Sequence, residues 1–347
     1  MIGLALGGGG VRGSYQIGVY LALKKSHIKI DGFTGSSIGA FNAAMLASKR
    51  EKELLYFWQT AEIGKIFGFS DEFIKLANSD KFNFKIFKAG YNDFIKIIKN
   101  KGITTDNLLN ILNELNIEKS LIESNKDFGL VTVKVQDFKP IYVFKKDLKK
   151  GKLNEYLMAS CYLPIFKMKK LIDDSYYLDG GFYDYAPANV LLDKGYDLVY
   201  VVDLEAIGIR RKYKDKDRIV IIKPSRNLGS IININQKKVN DNILLGYYDT
   251  LKIVNKLDGD KFIFKIKSKS YYKFLIRKVN KKKLKEMHKL FRTMDEKILI
   301  IKALEYTMTK EKFSYYKVYN PYMVIRQIKR LKKDYGVYSF INMLRFF

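Results

Sequence analysis

The spacing of apolar and polar positions changes several times along the chain, and each change predicts an element. Residues 2–6, Ile-Gly-Leu-Ala-Leu, form a short apolar run that ends in glycines, as a parallel strand buried on both faces would. Helical spacing follows from about Ser14 to Lys25, with Ile17, Tyr20, Leu21 and Leu23 on the inner side. Residues 28–34 read as a second strand, after which small residues carry a helix through Phe41, Ala44, Met45 and Ala47. Strand, turn and helix, twice over at this spacing, predict an α/β fold with a parallel sheet.

Between 51 and 125 no strand alternation is found. This stretch reads as a helical, polar-aromatic insertion that could cover a site, with one helix starting at Ser70-Asp71-Glu72 and another over Thr105–Leu115. Strand patterns return over 128–144, a helix over 153–160, and a strand over 176–178 that runs into Asp179. Pro187 and Gly195 bracket a short helix, and 197–203 and 217–223 are further apolar strands. Beyond Pro224 a long helix is expected between 228 and 257. Helical spacing then runs over 281–305 and again over 322–333. The organisation predicted is a domain over 1–255 and a basic, mainly helical region over 256–347.

Composition narrows the function classes. With 347 residues and 47% hydrophobic content the chain can bury a real core. Cys161 is the one cysteine, so no intrachain disulfide can form. No stretch approaches a membrane span, and no basic-then-apolar leader opens the chain, so a cytoplasmic protein, peripheral at the membrane, is expected. The balance of 64 Lys and Arg against 36 Asp and Glu gives a net charge of +28. Residues 256–347 alone hold 25 basic and 8 acidic residues, a net +17. Such a field attracts anionic surfaces, although codon bias toward Lys, Asn, Ile, Phe and Tyr would produce the same excess.

Two turns carry the candidate chemistry. Gly8-x-Gly10-x-x-Gly13 follows a strand and opens a helix, and Asp31 lies downstream, as in a dinucleotide fingerprint. No Walker lysine pattern accompanies it. Gly35-Ser36-Ser37-Ile38-Gly39 is a G-x-S-x-G pentapeptide between an apolar strand and a small-residue helix, a context that exposes a serine on a sharp bend. A plain capped turn would also satisfy it. A nucleophilic serine needs a base. His27 falls at the far end of the strand that delivers Ser37, and His288 sits in a lysine-rich helix. Among carboxylates Asp179 is the best placed, because it ends a strand and two flexible glycines follow it. No His, Cys and carboxylate cluster has metal-ligand spacing, so no metal or other cofactor is expected.

Together these residues resemble the patatin-like phospholipases, particularly bacterial ones. The glycine-rich motif stands as Gly8-Gly9-Gly10-Val11-Arg12-Gly13, the nucleophile motif as Gly35-Ser36-Ser37-Ile38-Gly39, and the third motif as Asp179-Gly180-Gly181. Ala159 to Pro164 and Gly246 to Thr250 are similar to further family segments, so the resemblance covers about 1–255. It implies a three-layer α/β/α domain with a central, mostly parallel sheet, followed here by a mainly helical C-terminal extension. It also implies a serine acyl hydrolase with a Ser37–Asp179 dyad. Ser37 would attack the ester and Asp179 would take its proton. Gly8, Gly9, Gly10 and Arg12 would offer backbone N–H groups to the oxyanion, and Arg12 would order the loop or attract a lipid phosphate. Gly13, Gly35, Gly39, Gly180 and Gly181 would shape the turns. The expected partners are a phospholipid or other acyl ester and an anionic membrane, rather than nucleic acid. A nucleotide-binding module and a non-catalytic membrane-binding scaffold remain the alternative readings.

Overall fold

The computed structural model describes residues 1–60, 105–164, 166–231 and 235–345. The helix start expected at Ser70, and most of the insertion around it, lie outside the described residues. The chain divides into two compact units, Met1–Asp249 and Thr250–Phe347.

The first unit is built on a seven-stranded sheet. In chain order its strands are β1 (Ile2–Leu6), β2 (Gly32–Ser36), β3 (Asp127–Lys134), β4 (Lys139–Phe144), β5 (Tyr177–Asp179), β6 (Leu198–Val202) and β7 (Ile219–Ile222). Their spatial order is β4-β3-β2-β1-β6-β7, with β5 also on β3. The pairs from β3 through β2, β1 and β6 to β7 are parallel, whereas β4 and β5 run antiparallel to β3. Leu4, Ala5 and Leu6 of β1 have no exposed surface, in keeping with a central parallel strand covered on both faces.

Helices cover both faces, and the pleat assigns alternate residues to them. Ala5 packs into a cluster with Leu191, Leu192, Tyr196, Val199 and Val201, and on this face Thr34 Oγ1 donates to Pro187 O at 2.9 Å. Gly35, the next residue, points to the opposite face, where a Cβ on it would lie 2.2 Å from Gly39. α1 (Ser14–Lys25) and α2 (Ile38–Ala47) are followed by α3 (Glu51–Thr60), α4 (Asp106–Leu115), α5 (Glu118–Glu123), α6 (Leu153–Ser160), α7 (Asn189–Asp193) and α8 (Gln236–Val254). α1 and α8 touch backbone to backbone: a Cβ on Gly18 would fall 1.9 Å from Ile243 O, and one on Gly246 would fall 2.1 Å from Tyr15 O. Larger residues there would force the two helices apart.

The second strand sits later in the chain than its apolar pattern suggested, at 32–36 rather than 28–34. Residues 27 and 28 still close helix α1: His27 has φ 60, and Ile28 N–H donates to Leu23 O at 3.0 Å.

The second unit is mainly helical. It contains β8 (Ile263–Phe264), α9 (Lys269–Ile276), α10 (Lys281–Phe291), α11 (Glu296–Lys310), β9 (Val318–Tyr319), α12 (Pro321–Lys329) and α13 (Gly336–Met343). Phe262, Phe264, Tyr272, Leu304, Ile325 and Phe340 are among the residues of its own apolar core. The helical spacing over 281–305 belongs to two helices. Arg292 turns left-handed (φ 49, ψ 51) at the end of α10, and the Asp295 carboxylate caps the Ile298 N–H at 2.9 Å to start α11. Among the described residues no helix is long and apolar enough to cross a membrane.

Candidate active site

The strand β3 brings the site together. Its first half pairs in parallel with β2, ending at Ser36 against Val131, and its second half pairs with β5 in antiparallel register, with Asp179 against Thr132. β2 and β5 therefore run toward each other along one edge of β3 and end on adjacent residues. Ser37, one residue past β2, and Asp179, the last residue of β5, meet where the two strands stop.

Ser37 occupies the N-cap position of α2 with φ 55 and ψ −131, a conformation that disfavours any residue with a side chain. The turn holds because the chain crowds around it. A Cβ on Gly35 would lie 2.2 Å from Gly39 C, and one on Gly39 would lie 2.2 Å from Leu6 O. Ser37 N–H donates to Ser160 Oγ at 3.0 Å, and Ser160 Oγ donates in turn to Val131 O at 2.8 Å. The two serines of the pentapeptide part company here: Ser36 is fully buried, whereas Ser37 lines a cavity.

Asp179 is buried, with 5% of its surface exposed. Burial pushes its pKa up to about 6, opposed by the neighbouring Ser37 hydroxyl and by a hydrogen bond from Gly181 N–H, 2.8 Å from Oδ1. Its own N–H donates to Tyr162 O at 2.8 Å. A Cβ on Gly180 would lie 2.2 Å from Val131 O, so the turn after Asp179 needs its first glycine to lie against β3. Cys161 stands on the same wall, and burial followed by the charge of Asp179 pushes its thiol upward, keeping it neutral.

The glycine run lies against this pair, since a Cβ on Gly8 would sit 3.2 Å from Ser37 Cβ. Its N–H groups differ in what they meet. Gly8 N–H donates to Tyr185 O at 3.2 Å, Val11 N–H to Ile231 O at 2.9 Å, and Arg12 N–H to Gly9 O at 3.2 Å. Among the described residues the Gly9 and Gly10 N–H groups have no partner. Of the four expected donors, Gly8 and Arg12 therefore have their N–H groups bonded within the protein. Gly10 itself is left-handed (φ 56), and a Cβ there would lie 2.4 Å from Ile231 O.

The Arg12 side chain acts as a clamp. Nε donates to Gly229 O at 2.8 Å, and one terminal nitrogen donates to Leu204 O at 3.2 Å and Glu205 O at 2.8 Å. These bonds favour loop ordering over capture of a lipid phosphate. A buried amide network, which the motifs did not reveal, supports the run from beneath. Gln16 Nε2 donates to Gly7 O at 2.7 Å, Asn42 Nδ2 donates to Gly13 O at 3.0 Å and to Gln16 Oε1 at 2.7 Å, and Trp58 Nε1 donates to Asn42 Oδ1 at 3.1 Å. The visible signal was two amides on otherwise apolar helices, and buried amides demand partners.

The cavity above the pair holds about 410 Å³. Gly8, Gly9, Gly10, Ser37, Asp179 and Gly181 line one part of it, and Val11, Ile38, Leu163, Phe166, Ile207 and Ile209 line much of the rest. Neither histidine belongs to its lining. Among the described residues no group of three His, Cys, Asp or Glu could hold a metal ion. Asp31, which a dinucleotide site would require near the glycine run, lies at the other end of the sheet. Its N–H donates to Ile2 O at the start of β1, and Oδ2 accepts from Ile2 N–H at 3.0 Å, while the glycines follow the end of that strand. That separation removes the ribose-binding part of the nucleotide reading.

The three motifs also fall inside one family match. The family model described as patatin-like phospholipase matches residues 4–192. The chain belongs to the patatin-like phospholipase family. Similarity to lysophospholipase nte1 of Neurospora crassa is 26% identity over 216 residues, 59% of this chain and 12% of that protein. A shorter stretch of 55 residues is 49% identical to lysophospholipase nte1 of Aspergillus terreus, covering 16% of this chain and 4% of that one. Patatin-like phospholipase domain-containing protein 7 of Rattus norvegicus is 49% identical over 49 residues, 14% of this chain and 4% of that protein. The matched stretches thus span 4–12% of the length of these relatives. Among solved structures, VipD from Legionella pneumophila aligns with a TM-score of 0.48 at 13% identity, covering 96% of this chain and 79% of that one.

Proposed function

We propose that this patatin-like protein is a serine acyl hydrolase of membrane lipids, of the phospholipase A or lysophospholipase type, working through a Ser37–Asp179 dyad. The observation that carries the reading is the meeting of β2 and β5 on β3, with a strained serine and a buried carboxylate side by side on the wall of an apolar cavity.

In this mechanism Ser37 Oγ attacks the ester carbonyl carbon while Asp179 takes the hydroxyl proton. The carbonyl oxygen becomes an oxyanion beside Gly9 and Gly10, whose N–H groups meet it together with the N-terminal dipole of α2. Removing one such donor from a hydrolase typically costs about 2.7–4 kcal/mol of transition-state stabilisation. Collapse of the intermediate expels the alcohol, which receives the proton back from Asp179. Asp179 then draws a proton from water as the water oxygen attacks the acyl-enzyme, and collapse of this second intermediate releases the fatty acid while Asp179 returns the proton to Ser37 Oγ. Ser160 holds the Ser37 N–H throughout and is a positioning residue. The apolar lining suits an acyl chain.

The test is fluorophosphonate labelling with mapping of the modified residue, together with hydrolysis of phospholipid and short-chain ester by Ser37→Ala and Asp179→Asn. The reading requires the label on Ser37 and loss of both activities. Folded Ser37→Ala protein that keeps full activity would overturn it.

A further inference from the structure

The mouth of the cavity carries a feature that the chemistry does not use. Ile207 is 100% exposed, and Phe182, Ile209 and Ile231 are each about half exposed, while all four line the same cavity. Isolated exposed apolar residues are ordinary, but four large ones rimming one opening form a patch.

The loop that displays Ile207 is tied down on both sides of it. Ile209 N–H donates to Gly181 O at 2.9 Å, and Ile209 O accepts from Tyr185 N–H at 2.8 Å. Leu204 N–H donates to Tyr185 Oη at 2.8 Å. The Arg210 guanidinium holds both oxygens of Asp203, at 3.0 and 2.8 Å, and lies over the Tyr185 ring. A Cβ on Gly208 would fall 2.7 Å from the Tyr185 ring, so the chain passes flat against it and Ile207 is left at the tip. A loop so anchored does not fold Ile207 back into the cavity.

The charge around the tip has one sign in excess. Asp203 is matched by Arg210, and Glu205 faces Arg12, whereas Arg211 and Lys212 follow directly; among the described residues neither forms an ion pair, and Asp184 acts on Arg211 only through its charge. Arg211 lies over the Tyr183 ring, next to Phe182.

We propose that residues 205–212, with Phe182, form the surface that docks this protein on an anionic lipid bilayer, Ile207 entering the acyl region and Arg211 and Lys212 meeting the headgroups. The inference rests on the acyl-hydrolase reading, and it explains how a lipid would reach the cavity: the docked rim is the rim of the opening itself. It separates the docking surface from the basic second unit, to which charge alone would assign it.

The full chain carrying Ser37→Ala, which leaves the lipid intact, is sedimented with phosphatidylcholine vesicles with and without phosphatidylglycerol. Binding is expected to require phosphatidylglycerol, and Ile207→Asp is expected to weaken it about tenfold or more, the loss of one buried large apolar side chain. Ile207→Leu should bind as the parent does, and Lys212→Glu should weaken binding to the anionic vesicles only. Because Ile207 touches no core, these variants keep the fold. Unchanged binding by Ile207→Asp overturns the proposal, as does loss of binding on Lys281→Glu/Lys285→Glu alone. A change in self-association by Ile207→Asp without a change in vesicle binding also overturns it and marks the patch as a contact between copies. Failure of the acyl-hydrolase reading registers separately, as absence of fluorophosphonate labelling in the chain that keeps Ser37, since the binding measurement needs no turnover.

Discussion

Each unit buries a carboxylate against backbone N–H groups, and the two carboxylates differ in what remains open to them. Asp179 accepts from one N–H, that of Gly181, stands beside Ser37 and faces a cavity. Glu305 accepts from three, those of Asp260, Lys261 and Phe262, at 2.6, 2.8 and 3.1 Å, all on the same oxygen. Burial pushes the pKa of both upward. A raised pKa therefore does not separate a base from a structural staple. What separates them is that Glu305 closes a turn of its own unit and lines no described cavity, while Asp179 keeps acceptor capacity beside a strained hydroxyl. Helix starts show the same division. In the second unit Ser268, Asn280, Asp295 and Asn320 each cap a helix with their own side chain. In the first unit α1 and α2 have no side-chain cap, and the glycine run and Ser37 occupy those places instead.

The sharpest way to break this comparison is to neutralise each carboxylate. Asp179→Asn should lower kcat/KM on any ester by at least about a thousandfold, in line with losses seen on removing one member of a catalytic unit. The same change should stabilise the fold at neutral pH. The folded carboxyl titrates near 6, where an ordinary aspartate titrates at 3.8, so carrying the charge costs the folded state up to about 3 kcal/mol. The gain should be full above pH 6 and vanish below about pH 4, where the carboxyl is protonated in both states. Thermal denaturation across that range checks it. Glu305→Ala should do the reverse, costing about 3 kcal/mol as three buried N–H groups lose their acceptor, with Ser37 labelling unchanged below the transition. Glu305→Gln, which retains an acceptor oxygen, should recover most of that loss.

The pH profile tests the role assigned to Asp179 without removing it. A base must be ionised to act, so kcat/KM on a soluble short-chain ester should rise about tenfold per pH unit and level off above about 6. A profile flat from pH 4 to 8 would mean that Asp179 is a staple like Glu305.

The parts of this protein that were legible in the sequence are those with their own period. β1, α1, α6 and β6 lie within a residue or two of where their apolar spacing puts them, because burial of a stripe or a run is a local property of the chain. The three site motifs were legible because close backbone approach leaves glycine as the residue that fits, and glycines at fixed offsets show in a sequence. The head-to-head ending of β2 and β5 was not legible. It depends on β3 having one half of its edge paired in each direction, and nothing in Tyr-Leu-Asp states which half it takes. Nor was the fate of each N–H in the glycine run: Gly8 and Gly9 look alike until Tyr185 O, far along the chain, takes one of them. The split of 281–305 was available in principle. Asp295 followed by Glu296 is a helix-start signal, but the apolar spacing continues across it and hides the break.

The smallest expected effect concerns those helix starts. Asp295→Ala removes an acceptor from the Ile298 N–H and should cost about 1 kcal/mol, and Asn280→Ala, which frees the Lys283 N–H, should cost a similar amount. At the start of α2 the direction should invert. Ser37 makes no cap bond and holds φ 55, so Ser37→Gly relieves the strain at no cost in capping and should be about 1 kcal/mol more stable than Ser37→Ala. Ser37→Ala removes the same hydroxyl but keeps the Cβ, so it isolates the backbone term. Denaturant unfolding of the two variants side by side measures it, and equal stability would mean that the turn at Ser37 stores no strain.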